Sequence, residues 1–180
     1  MRPAIASICA AAGLLTGCGG GTKPSSATDC KSPKSAGVVS VASRPSEAAL
    51  LTAVSVESDA CIDRVKFAFE PGPFPGYRVS YAPAETALVE DGSGASVAVD
   101  GSAYLVVRFE PAATASLDGH ELVRTYRGPR RIPAPENAHM LREVVKSGDF
   151  ESVLTWVIGV EERRPFAVTK SADGVVVTIG

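Results

Sequence analysis

Apolar and polar residues alternate at a period of two along most of the chain from Leu50 to Ile179, and this narrows the available folds more than any other feature. Val65, Phe67 and Phe69 are interleaved with Lys66 and Ala68. Tyr77, Val79 and Tyr81 are interleaved with Arg78 and Ser80, and Leu105, Val107 and Phe109 with Val106 and Arg108. Successive side chains of a strand point to opposite faces, so each run presents one inward face. Val153 to Val160 is apolar on both faces, as a central strand is, and Phe166 with Val168 and then Val175 to Ile179 add two more. Asp91-Gly92-Ser93-Gly94, followed by Val97 and Val99, and Ala172-Asp173-Gly174 read as turns, because Asp and Gly tolerate the backbone angles of tight reversals. Pro129, Pro133 and Pro135 mark a loop between two halves of the strand set. Glu47 to Thr52 and Ala138 to Val145 could each form a turn or two of helix, but neither sustains a 3.6-residue period. The expectation is an all-β fold, an antiparallel β-sandwich or partly open barrel.

The N-terminus carries a different signal. Arg2 precedes a short apolar stretch from Pro3 to Leu15, the layout of a secretory signal peptide, and that stretch falls short of the roughly 18–20 apolar residues a membrane span needs. Leu15-Thr16-Gly17-Cys18 closes it as a bacterial lipoprotein cleavage box, with small Gly17 just before the cysteine. The expectation is a lipoprotein: residues 1–17 removed as signal peptide, and Cys18 as the lipid attachment site bearing diacylglyceryl and palmitate-type acyl chains. The protein would then be lipid-anchored to the cell membrane on its extracytoplasmic face.

Residues 18–46 are rich in Gly, Ser, Thr, Pro and Lys and read as a lipidated flexible tether, leaving 47–180 as the folded domain. Cys30 and Cys61 remain for a disulfide, which persists in an extracytoplasmic compartment. Closing that loop of about thirty residues would stabilise the fold by roughly 3–4 kcal/mol. The free tether would then reach about 20 Å on average, holding the domain close to the membrane. The histidines, His120 and His139, form no ligand spacing with either cysteine, so neither a metal nor another cofactor is expected. A net charge of −2 argues against a nucleic-acid binder.

Several residues are candidates for binding. Tyr77 and Tyr81 could serve as part-exposed platforms for a ligand. Arg124, Arg127, Arg130 and Arg131, with Tyr126 among them, could grip phosphate or carboxylate groups of lipid or wall polymers, or could simply pair with nearby carboxylates in a solvated loop. Trp156 lies among Leu154, Ile158 and Val160 and suits core packing better than sugar stacking. Asp149 and Glu151, two apart, would share a face if both lay on one strand and could then act as acid and base. A polar strand edge or a turn, with Asp149 after Gly148 bonding local backbone amides, is the more economical reading of the pair. Arg64, on the face opposite Val65, suits a structural ion pair or a sheet edge better than a ligand site. No serine elbow, zinc-protease helix or phosphate-cradling glycine loop is present, and the chain is not expected to be an enzyme.

Five segments in order carry a family resemblance: Cys61-Ile62-Asp63-Arg64-Val65-Lys66-Phe67, Gly76-Tyr77-Arg78-Val79-Ser80-Tyr81, Gly148-Asp149-Phe150-Glu151, Leu154-Thr155-Trp156-Val157-Ile158-Gly159 and Pro165-Phe166-Ala167-Val168. Together they resemble the AMIN-like domain of actinobacterial secreted proteins and lipoproteins, over roughly Leu50 to Gly180. That family is distantly similar to the AMIN domain that targets amidases and secretin-type proteins to the envelope. The resemblance implies a β-sandwich without catalytic residues that binds peptidoglycan, another anionic envelope polymer or a protein partner. A carrier of a lipid or other small apolar ligand between the sheets is the alternative.

Overall fold

The computed structural model describes residues 32–34, 37–59, 61–83 and 88–180. Among these the chain forms thirteen strands and no helix: β1 (Val38–Val41), β2 (Ala49–Ser58), β3 (Asp63–Phe69), β4 (Gly76–Tyr81), β5 (Ala103–Glu110), β6 (Ala112–Ala113), β7 (Ala115–Asp118), β8 (Glu121–Arg124), β9 (Arg131–Pro133), β10 (Leu141–Phe150), β11 (Val153–Val160), β12 (Phe166–Lys170) and β13 (Gly174–Ile179). A first sheet runs β1-β4-β5-β11-β10-β9 and a second β12-β13-β3-β2-β6, while β7 and β8 form a separate hairpin. Every pairing is antiparallel except the short contact of β2 with β6. The sheets stay open at their edges, so the fold is a sandwich and not a closed barrel.

The inward residues are those the alternation marks. Val65, Phe67 and Phe69 of β3 face Val79, Leu105, Val107, Phe109 and Trp156 from the first sheet in one buried cluster. Phe67 and Phe69 each meet Phe109 edge-on at 5.1 Å between ring centres, and Phe67 meets Trp156 at 5.9 Å. Burial of such rings, with their edge-to-face contacts, is the main attraction between the sheets. Trp156 is fully buried, as its neighbours implied.

Three local expectations need correction. The two segments read as short helical turns are strands, β2 and β10. Each contains a register shift, between Leu51 and Ala53 in β2 and between Leu141 and Glu143 in β10. The extra residue puts the inward side chains Leu51 and Val54, and Leu141 and Val144, three apart, which imitates helical spacing. Val38–Val41, inside the expected tether, is an edge strand paired with β4. Val97 and Val99 lie outside any strand, in a loop that crosses the outer face of β10 and β11. Asp91 N donates to Ser147 O at 3.1 Å and Asp100 N to Glu143 Oε2 at 3.1 Å, which fixes this loop. Val145 and Val157 are therefore buried although they point away from the core.

Asp63 joins the sheets at one end. It opens β3 in the second sheet, is fully buried, and accepts hydrogen bonds from Met140 N (2.7 Å), Leu141 N (2.8 Å) and His139 N (3.1 Å) at the start of β10 in the first sheet. Ser58 Oγ donates to it as well, at 2.6 Å. Burial alone would raise its pKa, but the Ser58 hydroxyl and the three amides outweigh burial and hold the carboxyl below its ordinary value.

Two outcomes follow from this architecture. Asp63→Asn should cost about 2–4 kcal/mol in urea unfolding, because it removes the buried charge that three backbone amides converge on, and Ser58→Ala about 1 kcal/mol. Since the folded pKa is depressed, the carboxylate's contribution is complete above the unfolded value near 3.9 and fades as pH falls through the lower folded value. The stability of the wild type should therefore drop more steeply below about pH 4 than that of Asp63→Asn. The β10–β11 turn is made by Glu151 (φ 50°) and Ser152 (φ 61°), both left-handed without being glycine. Such a two-residue turn favours Asn-Gly, so Glu151→Asn with Ser152→Gly should raise stability by about 1 kcal/mol.

Candidate functional site

The far end of β10, where Lys146 to Phe150 run out toward the turn, forms the floor of a surface cleft of about 400 Å³. Glu90 and Asp91 approach from the loop crossing the sheet, Arg124 from the end of β8, and Tyr126 and Arg130 from the segment between β8 and β9. A second register shift, between Lys146 and Gly148, splays this end of the strand, so that Lys146, Ser147 and Asp149 all reach the cleft. Gly148 is required there: a Cβ would lie 2.1 Å from Asp91 Oδ2.

The cleft balances charge. Arg130 NH2 lies 2.9 Å from Glu90 Oε1, and its Nε donates to Lys146 O at 3.0 Å. The Ser93 hydroxyl, donating at 2.7 Å, and the Arg130 guanidinium hold Glu90 below the usual carboxylate range. Lys146 Nζ lies 3.4 Å from both Asp149 Oδ2 and Thr114 Oγ1, and the Thr114 hydroxyl donates to Asp149. Asp91 accepts from Thr155 Oγ1 at 2.5 Å. Three acidic and three basic side chains thus meet, every acid already holding a protein donor. Tyr126 forms the back wall: its ring stands edge-on to Trp156 at 5.5 Å, its hydroxyl donates to Pro129 O at 2.8 Å, and burial raises its pKa. At the mouth Phe150, 52% exposed, rests against Gly92.

The structure distributes the sequence candidates unevenly. Arg124 and Arg130 line the cleft. Arg131 is engaged elsewhere, with Nε and NH2 on Glu143 at 2.9 and 2.8 Å and NH2 also on Ala98 O. Arg127 is exposed just outside the cleft lining. Tyr77 and Tyr81 do not form a shared open platform, because the alternation that places Val79 inward places them inward too. Tyr77 is only 8% exposed and belongs to the core. The Tyr81 hydroxyl donates to Arg164 O at 2.9 Å and accepts from Arg164 N at 3.0 Å, its ring edge-on to Phe166 at 5.7 Å and covered by the Arg163 guanidinium at 4.7 Å. Arg64 forms an ion pair with Asp59 at 2.6 Å.

Asp149 and Glu151 do not share a strand face. β10 ends at Phe150, so Asp149 lies at the end of the strand, its carboxylate on Thr114 and Lys146 and not on local backbone amides, while Glu151 stands in the two-residue turn. Phe150, Lys146 and Asp91 were not singled out from the sequence, because a hairpin of unknown register hides which residues surround a cleft. Among the described residues no three His, Cys, Asp or Glu side chains cluster as a metal site would. Cys18 and Cys30, and the signal segment 1–17, lie outside the described residues, while Cys61 is partly buried just before β3.

No curated protein and no solved structure matches this chain. A family model does, over residues 49–179, which is β2 through β13 and includes the whole cleft. The chain belongs to the AMIN-like domain family.

Proposed function

We propose that this protein is a non-enzymatic, lipid-anchored module of the bacterial cell envelope that binds peptidoglycan or a similar envelope polymer in the cleft at the end of β10. The observation that carries the reading is the pairing of a half-exposed aromatic, Phe150, with a charge-balanced wall of Arg124, Lys146, Asp91 and Asp149. Glycan strands with peptide stems offer apolar ring faces together with hydroxyl, amide, ammonium and carboxylate groups. A site that places an aromatic beside donors and acceptors of both signs suits such a ligand. Membership of the AMIN-like family supports an envelope setting. The absence of catalysis is part of the same proposal: each cleft carboxylate is occupied by protein donors, which suits fixed recognition more than proton transfer.

The anchor and the domain division complete the reading. Residues 1–17 would leave as signal peptide, Cys18 would carry the acyl chains, and the tether would end where β1 pairs with β4. The Cys30–Cys61 bridge would shorten the free tether. The carrier alternative needs space between the sheets, and the interlocked rings of Phe67, Phe69, Phe109 and Trp156 occupy that space.

The full chain should cosediment with purified peptidoglycan, and Phe150→Ala should weaken that binding about tenfold without altering thermal unfolding, since the ring is largely outside the core. Wild-type protein left wholly in the supernatant would remove the polymer-binding reading. Mass spectrometry of membrane-extracted protein should find acylated Cys18 as the first residue, and Cys18→Ser should move the protein out of the membrane fraction.

A further inference from the structure

The loop that covers β10 and β11 leaves the other half of the same outer face bare. There Arg78 of β4 and Arg108 of β5 are direct register partners, both exposed. Side chains so paired start about 4.5–5.5 Å apart, and like charges in that relation oppose sheet formation. Glu110 offsets one of them, at 3.2 Å from Arg108. Among the described residues no carboxylate lies within ion-pair distance of Arg78.

A third guanidinium joins them. The segment after β1 continues along this edge, with Ser43 Oγ donating to Phe74 O at 2.8 Å. It packs directly on Gly76, where a Cβ would lie 2.8 Å from Ser43 N, 2.9 Å from Glu110 O and 3.0 Å from Val41 O. This close approach carries Arg44, likewise without a carboxylate partner among the described residues, to a groove of about 560 Å³ that also takes in Arg78, Arg108, Ser40 and Glu110. Three cations face one anion in a chain whose net charge is −2. The cleft on β10, by contrast, is balanced.

We propose that this groove is a phosphate-binding site, in which Arg44, Arg78 and Arg108 grip the oxygens of one phosphate group. Guanidinium forks match phosphate geometry, and a phosphate offers more acceptor oxygens than a carboxylate to three forks. The local excess of positive charge is of the same size as the roughly −1.5 to −2 of a phosphomonoester. A bound phosphate would also remove the repulsion between Arg78 and Arg108, so the cost built into the sheet becomes affinity. The phosphate could belong to a lipid headgroup or be free in solution, and the recognition chemistry is the same for both. The proposal stands apart from the cleft, which shares none of these residues.

The test uses the full chain made unlipidated by Cys18→Ser, with arginine Nε–Hε resonances followed by NMR. Inorganic phosphate should shift three such resonances beyond what sodium chloride of equal ionic strength does. Arg78→Gln with Arg108→Gln should weaken the effect at least about tenfold, whereas Arg124→Gln with Arg127→Gln in and beside the cleft should leave it intact. Phosphatidic acid vesicles, whose headgroup is a phosphomonoester, form the second arm, against phosphatidylcholine controls. Binding to them that exceeds binding to the same concentration of inorganic phosphate, and is lost in the Arg78/Arg108 variant, assigns the headgroup; no such excess assigns free phosphate. Thermal unfolding of that variant should be unchanged or higher, because the like-charge pair is gone. Resonances unmoved in both arms, equal binding by the variant, or a lowered unfolding temperature marking the arginines as structural would each overturn the proposal.

Discussion

One buried carboxylate fixes how the two sheets meet. Asp63 begins β3, and its oxygens take the amides of His139, Met140 and Leu141 just as the chain enters β10. Hydrophobic burial brings sheets together but is non-directional and allows them to slide. A carboxylate holding specific amides does not, since any shift would strand buried donors, each costing about 1–3 kcal/mol. The depressed acidity of Asp63 expresses the same fact electrostatically: the protein supplies enough donors to outweigh burial. β10 runs from this clamp to the cleft, a ten-residue strand spanning about 30 Å. The position of Lys146 to Phe150 thus depends on a contact at the opposite end of the molecule.

Between clamp and cleft lies the aromatic seam. Trp156 takes part in it from both directions, touching Phe67 of the second sheet and Tyr126 behind the cleft. Its indole N–H is the one buried side-chain polar atom without a hydrogen-bond partner among the described residues. An orphaned donor of this kind costs free energy, and the fold retains it because the large ring fills the space between β3 and the back wall formed by Tyr126. The cleft wall is consequently an extension of the core and not a loose surface loop, which suits recognition by preformed geometry.

Much of this was legible from the residues, and the failures have common causes. Strict alternation identifies β3, β4 and β5, and apolar runs bounded by turn residues identify β11, β12 and β13, because each is in register along its inward face. It failed at β2 and β10, where a bulge moves one inward residue by a single position and leaves helix-like gaps between Leu51 and Val54 and between Leu141 and Val144. Parity also held a clue that composition obscured. If Arg64 points outward, Asp63 must point inward with Val65, and an inward Asp needs several donors. Ser58 is near in sequence, but the three amide donors come from residues more than seventy positions away, which no local pattern reveals. The same parity argument puts Tyr77 in the core and packs the partly buried Tyr81 against it. For the arginine run, sequence could not divide Arg131, locked onto Glu143, from Arg124, which faces the cleft, because that division depends on the β9–β10 register.

The outer face of the first sheet shows where stability has been conceded. Over β10 and β11 it is roofed, and its charges are paired one to one: Arg130 with Glu90 and Arg131 with Glu143. Over β4 and β5 it is open, and two arginines stand opposite each other while the one carboxylate beside them, Glu110, pairs with Arg108. Both halves belong to the same twisted sheet and could have been built alike. A glutamate in place of Arg78 would pair with Arg108 across the strands and replace repulsion by attraction, worth a few tenths of a kcal/mol up to about 1. Sequences that keep the less stable arrangement at an exposed position, where the fold does not demand it, do so for what the surface meets. For the bare half of this sheet, the group met must bring the negative charge that the domain itself withholds.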